Sequence, residues 1–284
     1  MPRYGAEYGY VDKAVNFFVY TLNSLLYFSR SMVQAFQRMP LLGQNLLLGL
    51  MTMAIGMPIY TVPNILFGER PGTSLATFAD AMVPFAPWTI LGYALVYVFI
   101  FLPVFTIKHR PIFIRMIFGF LLCSLIALPF FIFFPVRMPR PGIPTQESLF
   151  YWGVAFNYIL DKPVNCFPSL HVANAVFATA CCLKLSPRVG LWGIIGSTFI
   201  AISTTTLRQH FIADVVAGIA IAIASYFLVV HPVVKRQLAL EPAENLVFPP
   251  RTALWVFYLY LIFLGGCALL FFAGLRFPPV LPTN

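Results

Sequence analysis

Seven stretches of the chain, near 41–62, 88–107, 114–135, 168–187, 190–207, 210–231 and 252–275, are apolar and almost free of charge. Each approaches the roughly 20 residues with which a helix crosses a hydrocarbon core of about 30 Å. The pattern predicts an all-α, polytopic membrane bundle. A different pattern precedes it. Between Val11 and Phe36, the residues Val15, Phe18, Leu22, Leu25, Leu26, Met32, Val33 and Phe36 recur at roughly helical spacing, interrupted by Lys13, Asn16, Asn23, Arg30, Gln34 and Gln37. This predicts an amphipathic helix lying on the cytoplasmic interface. A cleaved signal peptide fits less well, since no compact apolar run with a small-residue cleavage site follows the basic start. The expected organisation is an interfacial segment (1–40), a six-span core (41–231), and a cytoplasmic loop with a seventh span (232–284).

Composition supports the membrane reading. The chain is 60% hydrophobic and 10% charged, where a soluble domain is about half apolar and about a quarter charged. A net charge of +9 could signal nucleic acid, but its distribution marks topology instead. Loops on one side hold Arg3, Lys13, Arg30, Arg38, Lys108, Arg110, Arg115, Lys184, Arg188, Lys235, Arg236 and Arg251. The other side holds Arg70, Arg137, Arg140, Lys162, Arg208 and Arg276. The cation-rich side is cytoplasmic by the positive-inside rule, which places the amino terminus inside and the carboxyl terminus outside. Arg137, Arg140, Lys162 and Arg208 flank the histidine motifs and read as a local anion site. His109 and His231 read as interfacial, and Trp88 and Trp152 as an aromatic belt. The five cysteines are scattered and predict neither a disulfide nor a metal cluster. No Gly-rich phosphate loop is present.

The chemistry concentrates in two short segments, Phe167-Pro168-Ser169-Leu170-His171 and Arg208-Gln209-His210-Phe211-Ile212-Ala213-Asp214. Ionisable groups are costly in a bilayer. His210 and Asp214 stand at i and i+4, a spacing that puts two side chains on one helix face and lets a carboxylate orient an imidazole. A capping role for His171, a zinc or manganese site at His210 and Asp214, and an interfacial anchor role for Arg140 are the rival readings. The predicted topology puts Arg140, Ser169, His171, His210 and Asp214 at one membrane face, the extracytoplasmic one. Ser169 after Pro168 at a helix start, and the planar fork of Arg140, both suit phosphate.

On these residues the chain resembles the type 2 phosphatidic acid phosphatase superfamily of membrane phosphatases and phosphotransferases. Its three motifs run K-x6-RP, PSGH and SR-x5-H-x3-D. Arg140-Pro141 matches part of the first; Pro168, Ser169 and His171 match the second; Ser203, His210 and Asp214 match the third. The similarity is strongest over 135–217. It implies a six-helix core with no cofactor, in which His210 attacks phosphorus and Asp214 orients it. His171 would protonate the leaving group, and Ser169 and Arg140 would hold the phosphate. Phe133 and Thr204 stand where the motifs have lysine and arginine, so Arg208, with Arg137 or Lys162, is expected to supply the missing charge. The spellings around His171 and His210 are most similar to the branch of inositol phosphorylceramide synthases, with sphingomyelin synthases more distant. The resemblance therefore implies an enzyme that either cleaves a lipid phosphate or passes a phosphorylated head group to an acceptor lipid. A lipid flippase is the third class. It would require charges near mid-membrane and discontinuous helices in related halves, which the pattern lacks.

Overall fold

The structure is a computed structural model that describes residues 31–143 and 146–283. The chain divides into two compact units, Met1–Gln44 and Asn45–Asn284. In the first, residues 31–38 are helical and largely exposed. The rest of the predicted interfacial segment lies outside the described residues.

The helices are α1 (Leu41–Phe67), α2 (Phe78–Met82), α3 (Ile90–Phe99), α4 (Leu102–Thr106), α5 (Arg110–Phe133) and α6 (Leu149–Leu160). They continue with α7 (Leu170–Leu183), α8 (Pro187–Thr206), α9 (Ile212–Ser225), α10 (His231–Leu238), α11 (Ala243–Leu246) and α12 (Leu254–Phe272). No named strand occurs among the described residues, only isolated backbone bridges. Among the described residues five helical stretches are long and apolar enough to cross a membrane: Leu41–Phe67, Arg110–Phe133, Pro187–Thr206, Ile212–Leu238 and Pro250–Phe272. The chain is an integral membrane protein with a polytopic helical bundle.

Two of the seven predicted spans take a shorter form. The stretch 88–107 is broken after Phe99, and α4 restarts with Pro103 in its first turn. Proline lacks an N–H and its ring clashes with the carbonyl four residues back, which favours a break here, although Pro58, Pro63 and Pro129 are carried inside α1 and α5. The stretch 168–187 contains α7, which at 14 residues is about 21 Å long. It tolerates that length because protein surrounds it: α3, α4, α5, α8 and α9 all contact α7. Its small residues Ala173, Ala175 and Ala178 are fully buried, beside Phe177. The sixth span runs on from α9 through a π-turn, Tyr226–Val230, into α10. Pro232 removes the amide that would bond the Leu228 carbonyl, which is where the helix widens.

Helix starts are written locally. Pro111 and Pro187 open α5 and α8, where the missing N–H costs nothing. Ser148 and Ser169 cap α6 and α7. Trp152 departs from the belt expectation: it is buried, and its indole N–H donates to the Leu275 carbonyl at 2.8 Å. Trp88 is exposed.

A close approach of backbone to backbone occurs where α9 passes the start of α7. A Cβ on Gly218 would lie 2.5 Å from the Ser169 carbonyl oxygen, which is backbone and cannot swing aside. Replacing Gly218 with Ala is expected to cost about 1–3 kcal/mol through overpacking, read as a lower melting temperature in detergent. Gly265→Ala on α12, where nothing lies within 4 Å, should leave it unchanged or raised through helix propensity. Equal melting temperatures for the two variants would show that this approach does not hold the bundle.

Candidate active site

His210 is presented by a turn, not by a helix. After α8 the chain enters the left-handed region at Arg208 (φ 51), which costs a non-glycine residue roughly 1–2 kcal/mol. The Thr204 carbonyl then accepts both the Gln209 amide (2.9 Å) and the His210 amide (3.1 Å). The Arg208 guanidinium steadies this turn by donating to the carbonyls of Asp80 (3.0 Å) and Val83 (2.8 Å). Asp80 returns the support: one carboxylate oxygen accepts the Ile212 amide that opens α9, and the other accepts the Thr77 hydroxyl and amide. Burial opposes the Asp80 charge, yet the Thr77 hydroxyl, the Ile212 and Thr77 amides and the nearby Arg208 hold its carboxyl below the usual carboxylate range.

The expected helical i, i+4 face is therefore corrected. His210 precedes the helix, and Asp214 is the residue three positions into it whose carboxylate accepts the Phe211 amide at 2.8 Å. The same oxygen lies 3.4 Å from His210 Nδ1. The Cys166 carbonyl lies closer to that nitrogen, at 2.8 Å. Two acceptors around Nδ1 assign it the proton and leave Nε2 with its lone pair. Burial raises the Cys166 thiol well above its ordinary pKa, so only its backbone serves the site.

Ser169 caps α7 by accepting the Val172 amide and donates its own amide to the Asp214 carbonyl at 3.1 Å. That places His171, in the first turn, against the turn that carries His210. His171 Nδ1 lies 3.2 Å from His210 Nε2, and His171 Nε2 lies 2.9 Å from the Tyr93 hydroxyl. The three side chains form one line of hydrogen bonds: Tyr93, His171, His210.

Arg140 is buried beside them. It donates to the Asp161 carbonyl and the Gln209 side-chain carbonyl and lies over the Tyr158 ring at 4.5 Å. The Gln209 amide in turn donates to Asn157, and Asn157 to the Tyr97 hydroxyl. Arg140 Nε and Asp214 Oδ1 are buried without a partner. Burial raises the Asp161 carboxyl above the ordinary range, with Arg140 and the Tyr60 hydroxyl working against the shift.

The structure does not bring the other expected cations here. Both terminal nitrogens of Arg208 are bound to carbonyls, as above. Arg137 donates to the Gly68 and Arg70 carbonyls. Lys162 pairs with the exposed Glu69 at 2.8 Å. Ser203 is buried within α8, with its hydroxyl on the Ile200 carbonyl. The replacement of missing motif charge by Arg208, Arg137 or Lys162 is thus not seen; each has a neighbouring backbone or acid as its partner.

Several neighbours of the site escaped the sequence reading. Gln209, Asn157 and Asp161 carry a signal, being polar groups in apolar surroundings. Tyr93 carries none, as one of 13 tyrosines. The segment after α12 carries none either: it folds back so that Arg140 pairs with Thr283 and Ile143 with Val280. Among the described residues no group of three or more His, Cys, Asp or Glu is arranged so that it could hold a metal ion.

A helical membrane bundle with two hydrogen-bonded histidines, an aspartate and a buried arginine at one end defines the class of protein. A family model described as the PAP2 superfamily matches residues 73–228, and the chain belongs to that type 2 phosphatidic acid phosphatase superfamily. Searches among curated proteins and among solved structures returned no match. Membership supports a phosphatase-type, lipid-related function.

Arg140 and Arg208 should separate in experiment. Arg140→Lys, which loses the planar fork, is expected to weaken inhibition of turnover by inorganic phosphate about tenfold. Arg208→Lys should lower the melting temperature and leave phosphate inhibition unchanged. The reverse pattern would restore Arg208 to the phosphate.

Proposed function

We propose that this protein cleaves a phosphate ester or anhydride of a lipid, such as phosphatidic acid or a polyprenyl phosphate or diphosphate, through a phosphohistidine. The observation that carries the reading is the 3.2 Å pairing of His171 Nδ1 with His210 Nε2, with His210 Nδ1 held by the Cys166 carbonyl and Asp214. A phosphate that displaces this hydrogen bond and enters between the rings meets a nucleophile on one side and an acid on the other. The His210 Nε2 lone pair forms the N–P bond, the bond from phosphorus to the lipid oxygen breaks, and that oxygen takes a proton from His171. Asp214 stabilises the cationic ring that results. Arg140, with an unpartnered Nε, and the start of α7 at Ser169 face the phosphate charge. The steps use no metal ion.

The second half-reaction frees His210 by attack of water or of a lipid hydroxyl. Transfer of a phosphoryl or phospho-alcohol group to a lipid is the second reading, favoured by an apolar cavity that reaches His171. The cation distribution supports an extracytoplasmic site, an amino terminus inside and a carboxyl terminus outside.

Purified protein and its His210→Ala variant, incubated in EDTA with lipid phosphates and phospholipids, with and without lipid acceptors, test the proposal. Wild type is expected to release phosphate or form a new phosphorylated lipid, and to trap an acid-labile, base-stable phosphoryl group. The variant should lose turnover by at least about 10³-fold. Equal turnover by the variant would remove His210 from the chemistry.

A further inference from the structure

The helix α1 is held to the rest of the bundle by polar contacts at its two ends. Near its start, Asn45 donates to the Ile107 carbonyl at 2.9 Å and accepts from Arg110 at 3.2 Å. Near its end, the Tyr60 hydroxyl donates to Asp161 at 2.6 Å, Asn64 donates to Asp161 and to the Lys162 carbonyl, and Asn165 donates to the Tyr60 carbonyl. Between these attachments α1 stands off. A cavity of about 420 Å³ lies between it and α3, α4, α5 and α7, inside the roughly 300–1,000 Å³ range of ligand sites.

The α1 wall runs from Gly49 through Thr52, Met53, Gly56 and Tyr60 to Asn64, a stripe at helical spacing on the order of 22 Å long. That exceeds one leaflet's share, about 15 Å, of the hydrocarbon core. Most of the wall is apolar. Tyr60, Asn64, Tyr97, Asp161 and His171 make one end polar, with Thr52, Ser124 and Asn174 as neutral polar groups farther along, and neither lysine nor arginine lines any part of it. With no lysine or arginine in its lining, the cavity offers a phosphate no direct cationic partner, while the Asp161 carboxylate offers a hydroxyl an acceptor. The rim residues Met57, Ile65 and Leu160 are exposed, on helices that face lipid. The cationic phosphate site at Arg140 and this acidic, chain-shaped cavity are chemically distinct, and His171 belongs to both.

We propose that the cavity binds a neutral long-chain lipid alcohol, the acceptor of the phosphoryl group, with its hydroxyl hydrogen-bonded to Asp161. The proposal rests on the phosphohistidine reading for its chemistry but not for its binding. On transfer the hydroxyl proton passes to His171, which gave its own to the first leaving group. The hydroxyl oxygen bonds phosphorus, the P–N bond breaks, and His210 Nε2 recovers its lone pair.

A photoreactive long-chain 1-alkanol tests the site on full-length protein in detergent, with its methyl ether and its monophosphate ester as companion probes. Labelling that an excess of unmodified alkanol displaces should fall on α1 and α3. Gly56→Leu should abolish it, because a Cβ at Gly56 has no neighbour closer than 4.0 Å and the side chain would fill the cavity. Gly266→Leu, on α12 with nothing within 4 Å, should label as wild type does. Wild type should favour the alcohol over the ether about tenfold, since a carboxylate accepts a hydrogen bond and cannot donate to an ether. Asp161→Asn can donate and should erase that preference. Undiminished labelling of Gly56→Leu, an Asp161→Asn variant that still discriminates, or stronger labelling by the monophosphate would each overturn the proposal. His210→Ala should label normally, so a failure of the phosphohistidine reading would appear in turnover while the labelling pattern stood.

Discussion

Where α9 crosses the start of α7, Gly218 lies so near the Ser169 carbonyl that one methyl group would close the gap. That approach has a chemical consequence at the same end of the two helices. The Ser169 amide can reach the Asp214 carbonyl, and the first turn of α7 then carries His171 to hydrogen-bonding distance of His210. Neither histidine is placed by its own segment alone. The imidazole pair is a by-product of a backbone contact between two helices, and a separation larger by a side chain's width would leave two isolated bases.

Around this contact, buried polar groups are satisfied by one another rather than by solvent. Arg208 and Asp80 exchange support across the turn before α9, each meeting backbone groups of the other's segment. Arg140, Gln209, Asn157 and Tyr97 form a second chain of hydrogen bonds, and Tyr60, Asn64 and Asp161 a third. In a medium that offers no water, such groups cost several kcal/mol each when unpaired. Among the described residues several buried polar atoms lack a partner, and two of them, Arg140 Nε and Asp214 Oδ1, lie beside the paired histidines, where the proposed reaction would receive a phosphate oxygen.

The division between fold and site also governs where the cations bind. Arg137, Lys162 and Arg208 sit within a few residues of the motifs, so proximity in sequence suggested a shared anion. An arginine fork, however, takes whichever carbonyls its loop presents. Arg208 met the end of α2 and Arg137 met the Gly68 and Arg70 carbonyls, partners from distant parts of the chain. Arg140 alone of the four stays buried beside His210, through Gln209.

The pattern of apolar runs determined the membrane class and the helical bundle, because a segment in lipid must satisfy its own backbone and only long apolar helices do so. The histidines and aspartate were legible for a related reason: ionisable side chains in such a chain stand out against their cost. Tertiary structure alone decided that one expected span breaks after Phe99 while α1 and α5 carry their prolines unbroken, that α7 is short because protein encloses it, and that His210 rides on a left-handed turn ahead of its helix. It alone brought Tyr93 to His171, Thr283 to Arg140 and Asp161 to the cavity under α1. These pairings join segments with no periodicity in common, and their partners are set by which helix faces meet once the bundle has closed.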